Sequence, residues 1–174
     1  MPEISSKHAA IAALVLVAVA VFGAFLFLRT PSSPADNFSE EFSLVLQNYE
    51  GKDVHLYSFR RQIIVAYAWA SWCAYCADEL KRLAELKKTY GDKIQILAVN
   101  RAEPAAVAKE FTNTLSLGED ITLMLDPNDS FFKSIEGYAM PETVFINAAG
   151  DIVYHQRGPI DLPTMQAKIQ QLVE

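Results

Sequence analysis

Cys73 and Cys76 are the only two thiols in the chain, and a pair separated by two residues suits thiol–disulfide exchange. In that chemistry a thiolate attacks a partner's disulfide, and a second thiol within one turn expels the mixed disulfide before it accumulates. Half of a zinc site and an inert buried disulfide are competing readings of the same spacing. Zinc asks for four ligands, and the remaining candidates, His8, His55 and His155, stand singly along the chain rather than in ligand spacing. The stretch Ala68-Trp69-Ala70-Ser71-Trp72-Cys73-Ala74-Tyr75-Cys76 therefore reads as a dithiol centre whose redox group is the Cys73–Cys76 disulfide, with no further cofactor.

The elements that position these thiols show as a change of period. Ile63 to Ala68 is a short apolar, partly β-branched run, whereas Leu80, Leu83, Ala84, Leu86 and Tyr90 recur at helical spacing. A strand thus runs into a helix at the cysteines, and the helix is predicted over Cys73 to Tyr90. Cys73 then falls in its first turn, where unpaired N–H groups and the positive end of the dipole stabilise a thiolate, and Cys76 faces the same side one turn on. This assigns Cys73 as the exposed nucleophile and Cys76 as the shielded resolver. Glu79, three residues after Cys76, is placed to take or supply the proton of the resolving thiol, its alternative being a solvated glutamate paired with Lys81 or Arg82. Trp69 reads as packing. Met140, the two cysteines and His155 are also the soft ligands that Cu(I) prefers, so a copper metallochaperone using the same cysteines is the alternative of a different class.

The strand-Trp72-Cys73-Ala74-Tyr75-Cys76-helix arrangement resembles the active site of the thioredoxin superfamily. Ala139-Met140-Pro141-Glu142-Thr143-Val144-Phe145-Ile146-Asn147 resembles its second signature, and Gly150-Asp151-Ile152-Val153-Tyr154 resembles the hairpin that follows. Within the superfamily, the Pro-Glu-Thr triplet, Asp126-Pro127 and Gly158 resemble the membrane-anchored TlpA/ResA/DsbE group, which handles disulfides during cytochrome c maturation. The resemblance covers roughly residues 40–174 and implies several things. Pro141 would be cis, the backbone of Met140 would pair with an incoming chain, and Trp72 would offer an apolar platform to a protein partner. An acid at the place of Glu79 would be functional. Clients would be protein disulfides, apocytochrome c among them, re-reduced by a membrane thiol donor. Departures are as specific: Tyr67 stands where cytosolic thioredoxins bury an aspartate, Lys81 replaces a helix proline, Ala68 a phenylalanine, and Ala139 a glycine.

Residues 9–28, from Ala9 through Leu28, form an apolar run broken only by Gly23, long enough as a helix to span the roughly 30 Å of a bilayer's hydrocarbon core. A signal peptide is the alternative, but the Ala18 to Ala20 triplet lacks the polar region that a cleavage site usually has. The expected organisation is a membrane anchor over residues 1–29, a Pro/Ser-rich linker over 30–39 and one folded domain over 40–174 on the extracytoplasmic side, periplasmic or extracellular. Beyond Arg29 the chain carries 13 basic and 20 acidic residues, a net charge of −7, which argues against nucleic acid or an anionic lipid surface as partner.

Within the domain, Phe42 to Leu46 and Val54 to Tyr57 read as a hairpin, Ile94 to Val99 as the strand that closes a right-handed β-α-β unit, and Pro104 as the start of a helix. A strand over Ile121 to Leu125, a short helix around Phe131, Phe132 and Ile135, a second hairpin pairing Thr143 to Asn147 with Ile152 to Gln156, and a last helix from Pro163 complete the chain. The predicted fold is a three-layer α/β sandwich around a mixed sheet. The resemblance implies the same: a thioredoxin fold with an N-terminal hairpin and a central insert, preceded by a single transmembrane helix.

Overall fold

The computed structural model describes residues 43–174 together with Val15 and Phe22. The predicted anchor, linker and Phe42 lie outside the described residues apart from those two positions. Among the described residues no helix is long and apolar enough to cross a membrane.

Seven strands form one mixed sheet: β1 (Val45–Asn48), β2 (Asp53–His55), β3 (Ile63–Trp69), β4 (Ile94–Arg101), β5 (Thr122–Asp126), β6 (Glu142–Ile146) and β7 (Ile152–Arg157), in the spatial order β2-β1-β5-β4-β3-β6-β7. β3, β4 and β5 run parallel, while β6, β7, β1 and β2 join antiparallel. The continuous apolar run of β3 is buried from Ile64 onward, as a strand covered on both faces must be. Its alternation divides the core in two. Val65, Tyr67 and Trp69 pack beneath helices α1 (Cys76–Tyr90), α2 (Ala105–Asn113) and α4 (Leu162–Val173). Ile64, Ala66 and Ala68 face α3 (Ser130–Ser134) and the 3-10 turn Leu56–Phe59. The three layers and the mixed sheet are as the sequence predicts, and β3 and β4, linked through α1, form the expected parallel pair.

Several boundaries differ from the reading of the sequence, among them β1, which runs Val45–Asn48 where Phe42 to Leu46 was expected. α1 begins at Cys76, not Cys73. The chain between β3 and α1 descends through two tight turns, Cys73 N to Ala70 O and Cys76 N to Cys73 O, both 3.2 Å, and the residue ahead of the helix, Tyr75, has no side-chain cap to draw it further back. Leu56 and Tyr57, assigned to the second hairpin strand, lie instead in the 3-10 turn. At the far end α1 stops where Gly91 takes a φ of 56° and Lys87 Nζ bonds the Gly91 carbonyl at 2.9 Å. α4 is capped by Asp161, whose carboxylate accepts from Thr164 N, and it buries Met165 and Ile169.

Candidate active site

The end of β3 delivers the chain into the turn that carries the thiols. Trp69 is wholly buried and stacks on Phe111 of α2 with ring centroids 5.4 Å apart, anchoring the strand end as the packing reading expects. Just beyond it, the side chain of Glu103 reaches across from the segment between β4 and α2. Its oxygens accept from Ser71 N at 2.8 Å, Ser71 Oγ at 2.5 Å and Asn100 Nδ2 at 2.7 Å. The turn that leads into Trp72 and Cys73 is therefore held by a carboxylate, not left as a free loop.

Cys73 and Cys76 are joined in a disulfide, with Cα atoms 5.4 Å apart. Cys76 is wholly buried, whereas Cys73 keeps 7% of its surface, so of the pair it is Cys73 that solvent reaches. With α1 starting at Cys76, the dipole acts on Cys73 from just outside the helix. Trp72 precedes the pair and Tyr75 lies between its two members, both exposed, Trp72 at 65%.

β6 brings in the second signature. Its register against β3 pairs Ala68 with Glu142 and Tyr67 with Thr143, which sets Pro141 at the strand end beside the cysteine turn. The Met140–Pro141 bond is cis, as the resemblance implies, and Pro141 O accepts from Gly158 N at 2.8 Å. Glu142, wholly buried, fixes the approach to this bond: Oε1 accepts from both Tyr138 N and Ala139 N at 2.7 Å, and Oε2 lies 2.7 Å from His155 Nε2. His155, offered above as a copper ligand, is thus engaged by Glu142. Among the described residues, no cluster of three or more His, Cys, Asp or Glu side chains is arranged to hold a metal ion.

Glu79 sits on the inward face of α1, one turn past Cys76, at 2% exposure. It is not the solvated partner of Lys81 or Arg82 that the sequence left open. Oε1 accepts from Ile160 N at 3.0 Å, while Oε2 is buried without a hydrogen-bond partner. Burial pushes the Glu79 carboxyl above its ordinary range, partly offset by the Ile160 N–H, the Tyr67 hydroxyl and the Arg82 charge. Tyr67 is pushed up as well, by burial first and then by the neighbouring Glu79. Its hydroxyl lies close enough to the carboxyl to perturb it yet outside hydrogen-bond geometry, and it too is unpartnered. On its outer side Glu79 lines a cavity of about 300 Å³ with Tyr75, Asp78, Arg82, Pro159, Ile160 and Asp161.

The structure brings Cys73, Cys76, Trp72 and Glu79 to one end of the sheet with the cis-proline turn. Glu103 and Glu142 are the residues that reasoning from sequence missed. Glu103 bonds a residue 32 positions away, so nothing local marks it; the Glu in Pro-Glu-Thr was visible as a motif, without its buried clamp.

The Redoxin family profile matches residues 31–171. The chain is 28% identical over 166 residues to the thiol:disulfide interchange protein DsbE of Allochromatium vinosum, covering 92% of this chain and 87% of that protein. To the thiol-disulfide oxidoreductase ResA of Geobacillus kaustophilus it is 24% identical over 143 residues, covering 80% and 81%. Among solved structures, MTB dsbF, determined in mixed oxidized and reduced forms, superposes with a TM-score of 0.72 at 18% identity, covering 78% of this chain and 99% of that one. A secreted Mycobacterium tuberculosis disulfide oxidoreductase homologous to E. coli DsbE gives 0.68 at 15% identity, covering 77% and 99%. These two likenesses speak to the fold alone.

Proposed function

Because the chain belongs to the Redoxin family, within its TlpA/ResA/DsbE group of thiol:disulfide oxidoreductases, we propose that it reduces disulfides in protein clients through Cys73 and Cys76, with Glu79 as proton acceptor. The observation that carries this reading is the unequal burial of the pair: Cys73 retains surface between exposed Trp72 and the cis-proline turn, and Cys76 has none.

The exchange then runs in two steps. The Cys73 thiolate attacks one sulfur of the client disulfide, forming a mixed disulfide and releasing the other client sulfur as a thiolate. Cys76 gives its proton to Glu79 and attacks Cys73 Sγ, closing the Cys73–Cys76 disulfide and freeing the second client thiolate. Two electrons pass to the client, whose thiolates take up protons from solvent and from the acid. A raised carboxyl pKa suits Glu79 to this exchange, because proton transfer from a thiol to an ordinary, weakly basic carboxylate is far uphill. The cavity beside Glu79 offers that proton a way out. Trp72 and the backbone at Met140 form the client-facing side, supported by the exposure of the one and the turn geometry of the other.

The reading extends to place and client. The domain over residues 40–174 works outside the cytoplasm, tethered through residues 9–28, on protein disulfides of cytochrome c maturation such as that of apocytochrome c, and is re-reduced by a membrane thiol donor. The apolar N-terminal run and the DsbE name of a relative support this. Two measurements test it. Alkaline carbonate extraction should leave the full-length chain in the membrane pellet, and release of a shortened soluble form refutes the tether. Reduced protein should reduce apocytochrome c faster than insulin at equal concentration; equal rates refute the client assignment, and no reduction of either refutes the oxidoreductase direction.

A further inference from the structure

The reading of Glu79 as proton acceptor leaves a physical difficulty that the structure also answers. A carboxylate buried with one hydrogen bond, from Ile160 N, is poorly compensated, and burying charge without adequate hydrogen bonding is costly. Besides that N–H, the groups facing it are few. Arg82 on its own helix acts by charge alone, Asp78, Tyr75 and Asp161 stand on the cavity walls, and Cys76 lies one turn back. From the sheet side, the group of β3 that acts on it is the hydroxyl of Tyr67, the indole N–H of Trp69 being the other polar group of that face.

Tyr67 is wholly buried among apolar side chains, and an unpartnered buried hydroxyl is a liability that phenylalanine would not carry. Glu79 Oε2 is orphaned beside it. Two unsatisfied polar atoms on facing elements, next to the resolving cysteine, ask for a common explanation. We propose that Tyr67 is a positioning residue whose hydroxyl donates to the Glu79 carboxylate when Glu79 is ionised and accepts from it when Glu79 holds the Cys76 proton. A phenol can do both because it is donor and acceptor at once, so a small rotation of two side chains satisfies either protonation state without repacking the core. The elevation of the tyrosine's own pKa keeps it a donor throughout. The charge-assisted bond to the ionised form is the stronger of the two, so Tyr67 biases Glu79 toward the state in which it can act as a base. This inference rests on the role given to Glu79 above.

The test is Tyr67→Phe in the full-length protein, alone and combined with Glu79→Gln. The reads are the pH profile of kcat/KM for insulin reduction and the titration of the Glu79 carboxyl by carbon-13 NMR. Losing the donor raises the pH at which Glu79 ionises, so the acid limb should move up and the rate on it fall by roughly three- to tenfold, the loss shrinking as pH rises. In the Glu79→Gln background Tyr67→Phe should shift nothing. Removing an unpartnered hydroxyl leaves the core volume intact, and a thermal melt checks that the variant folds. An unmoved acid limb and an unmoved carboxyl titration in Tyr67→Phe, with the limb abolished in Glu79→Gln, overturn the role of Tyr67 alone. An acid limb that survives Glu79→Gln overturns the role of Glu79, and the inference with it.

Discussion

Replacing Glu103 with alanine removes the carboxylate that holds the cysteine turn, and its cost can be worked from three bonds. Two are charge-assisted N–H contacts, to Ser71 N at 2.8 Å and Asn100 Nδ2 at 2.7 Å, and the third is the Ser71 hydroxyl at 2.5 Å. Such bonds to a charged group each contribute about 1.5–3 kcal/mol, less where water competes, and Glu103 is only half-buried. Ser71 can recover water after the change. Asn100 cannot: it is wholly buried, its Oδ1 is already unpartnered, and the substitution strips its Nδ2 as well. The sum is a loss of about 2–4 kcal/mol. Urea denaturation of the oxidised protein measures it, provided the slope stays constant so that the midpoint reports stability. Glu110→Ala, at an exposed position on the neighbouring helix, serves as control and should cost less than about 0.5 kcal/mol. A Glu103→Ala variant as stable as that control would refute the claim that Glu103 holds the turn.

The remaining predictions concern the thiols, the buried acid and one helix end. Cys76→Ser should accumulate a mixed disulfide with client, seen on non-reducing gels, because Cys73 attacks and nothing resolves; trapping by Cys73→Ser instead reverses the assignment. Glu79 keeps its proton in the folded state above the pH, about 4.3, at which the unfolded chain releases it, so wild-type stability relative to Glu79→Gln should fall as pH rises from there and level off once the native carboxyl ionises. A stability difference that stays flat from about pH 4 to pH 8 contradicts the raised carboxyl. Gly91→Ala meets no steric neighbour but forces a side chain into a φ of 56°, and should lower stability by about 1 kcal/mol in the same denaturation assay. No loss there means that the helix end re-forms another way.

What the sequence disclosed and what it hid follow from the range of the interactions concerned. The sheet, α1 and the cysteine turn were legible because their signals are local. The run Ile63 to Ala68 has to be a covered strand, Leu80, Leu83 and Leu86 have to share a helix face, and Gly91 has to end it. The start of α1 was misplaced by three residues, since propensity does not separate a tight turn of i to i+3 bonds from a first helical turn when neither has a side-chain cap. Charge placement is where locality fails. Glu79, Glu103 and Glu142 are alike in composition, but each is defined by partners set by topology: Ile160 81 positions away, Ser71 32 positions away, and a strap formed by the cis-proline turn and β7. Burial turns the three acids to different uses. Where N–H and O–H donors fill the oxygens, as at Glu103 and Glu142, a carboxylate holds geometry. Where one oxygen is left open beside a phenol, one turn from Cys76, as at Glu79, it has no donor to hold it ionised. The unmet hydrogen-bonding capacity of Glu79 Oε2 and Tyr67 Oη thus sets Glu79 apart from the two fully bonded acids, a distinction that no spacing in the chain carries.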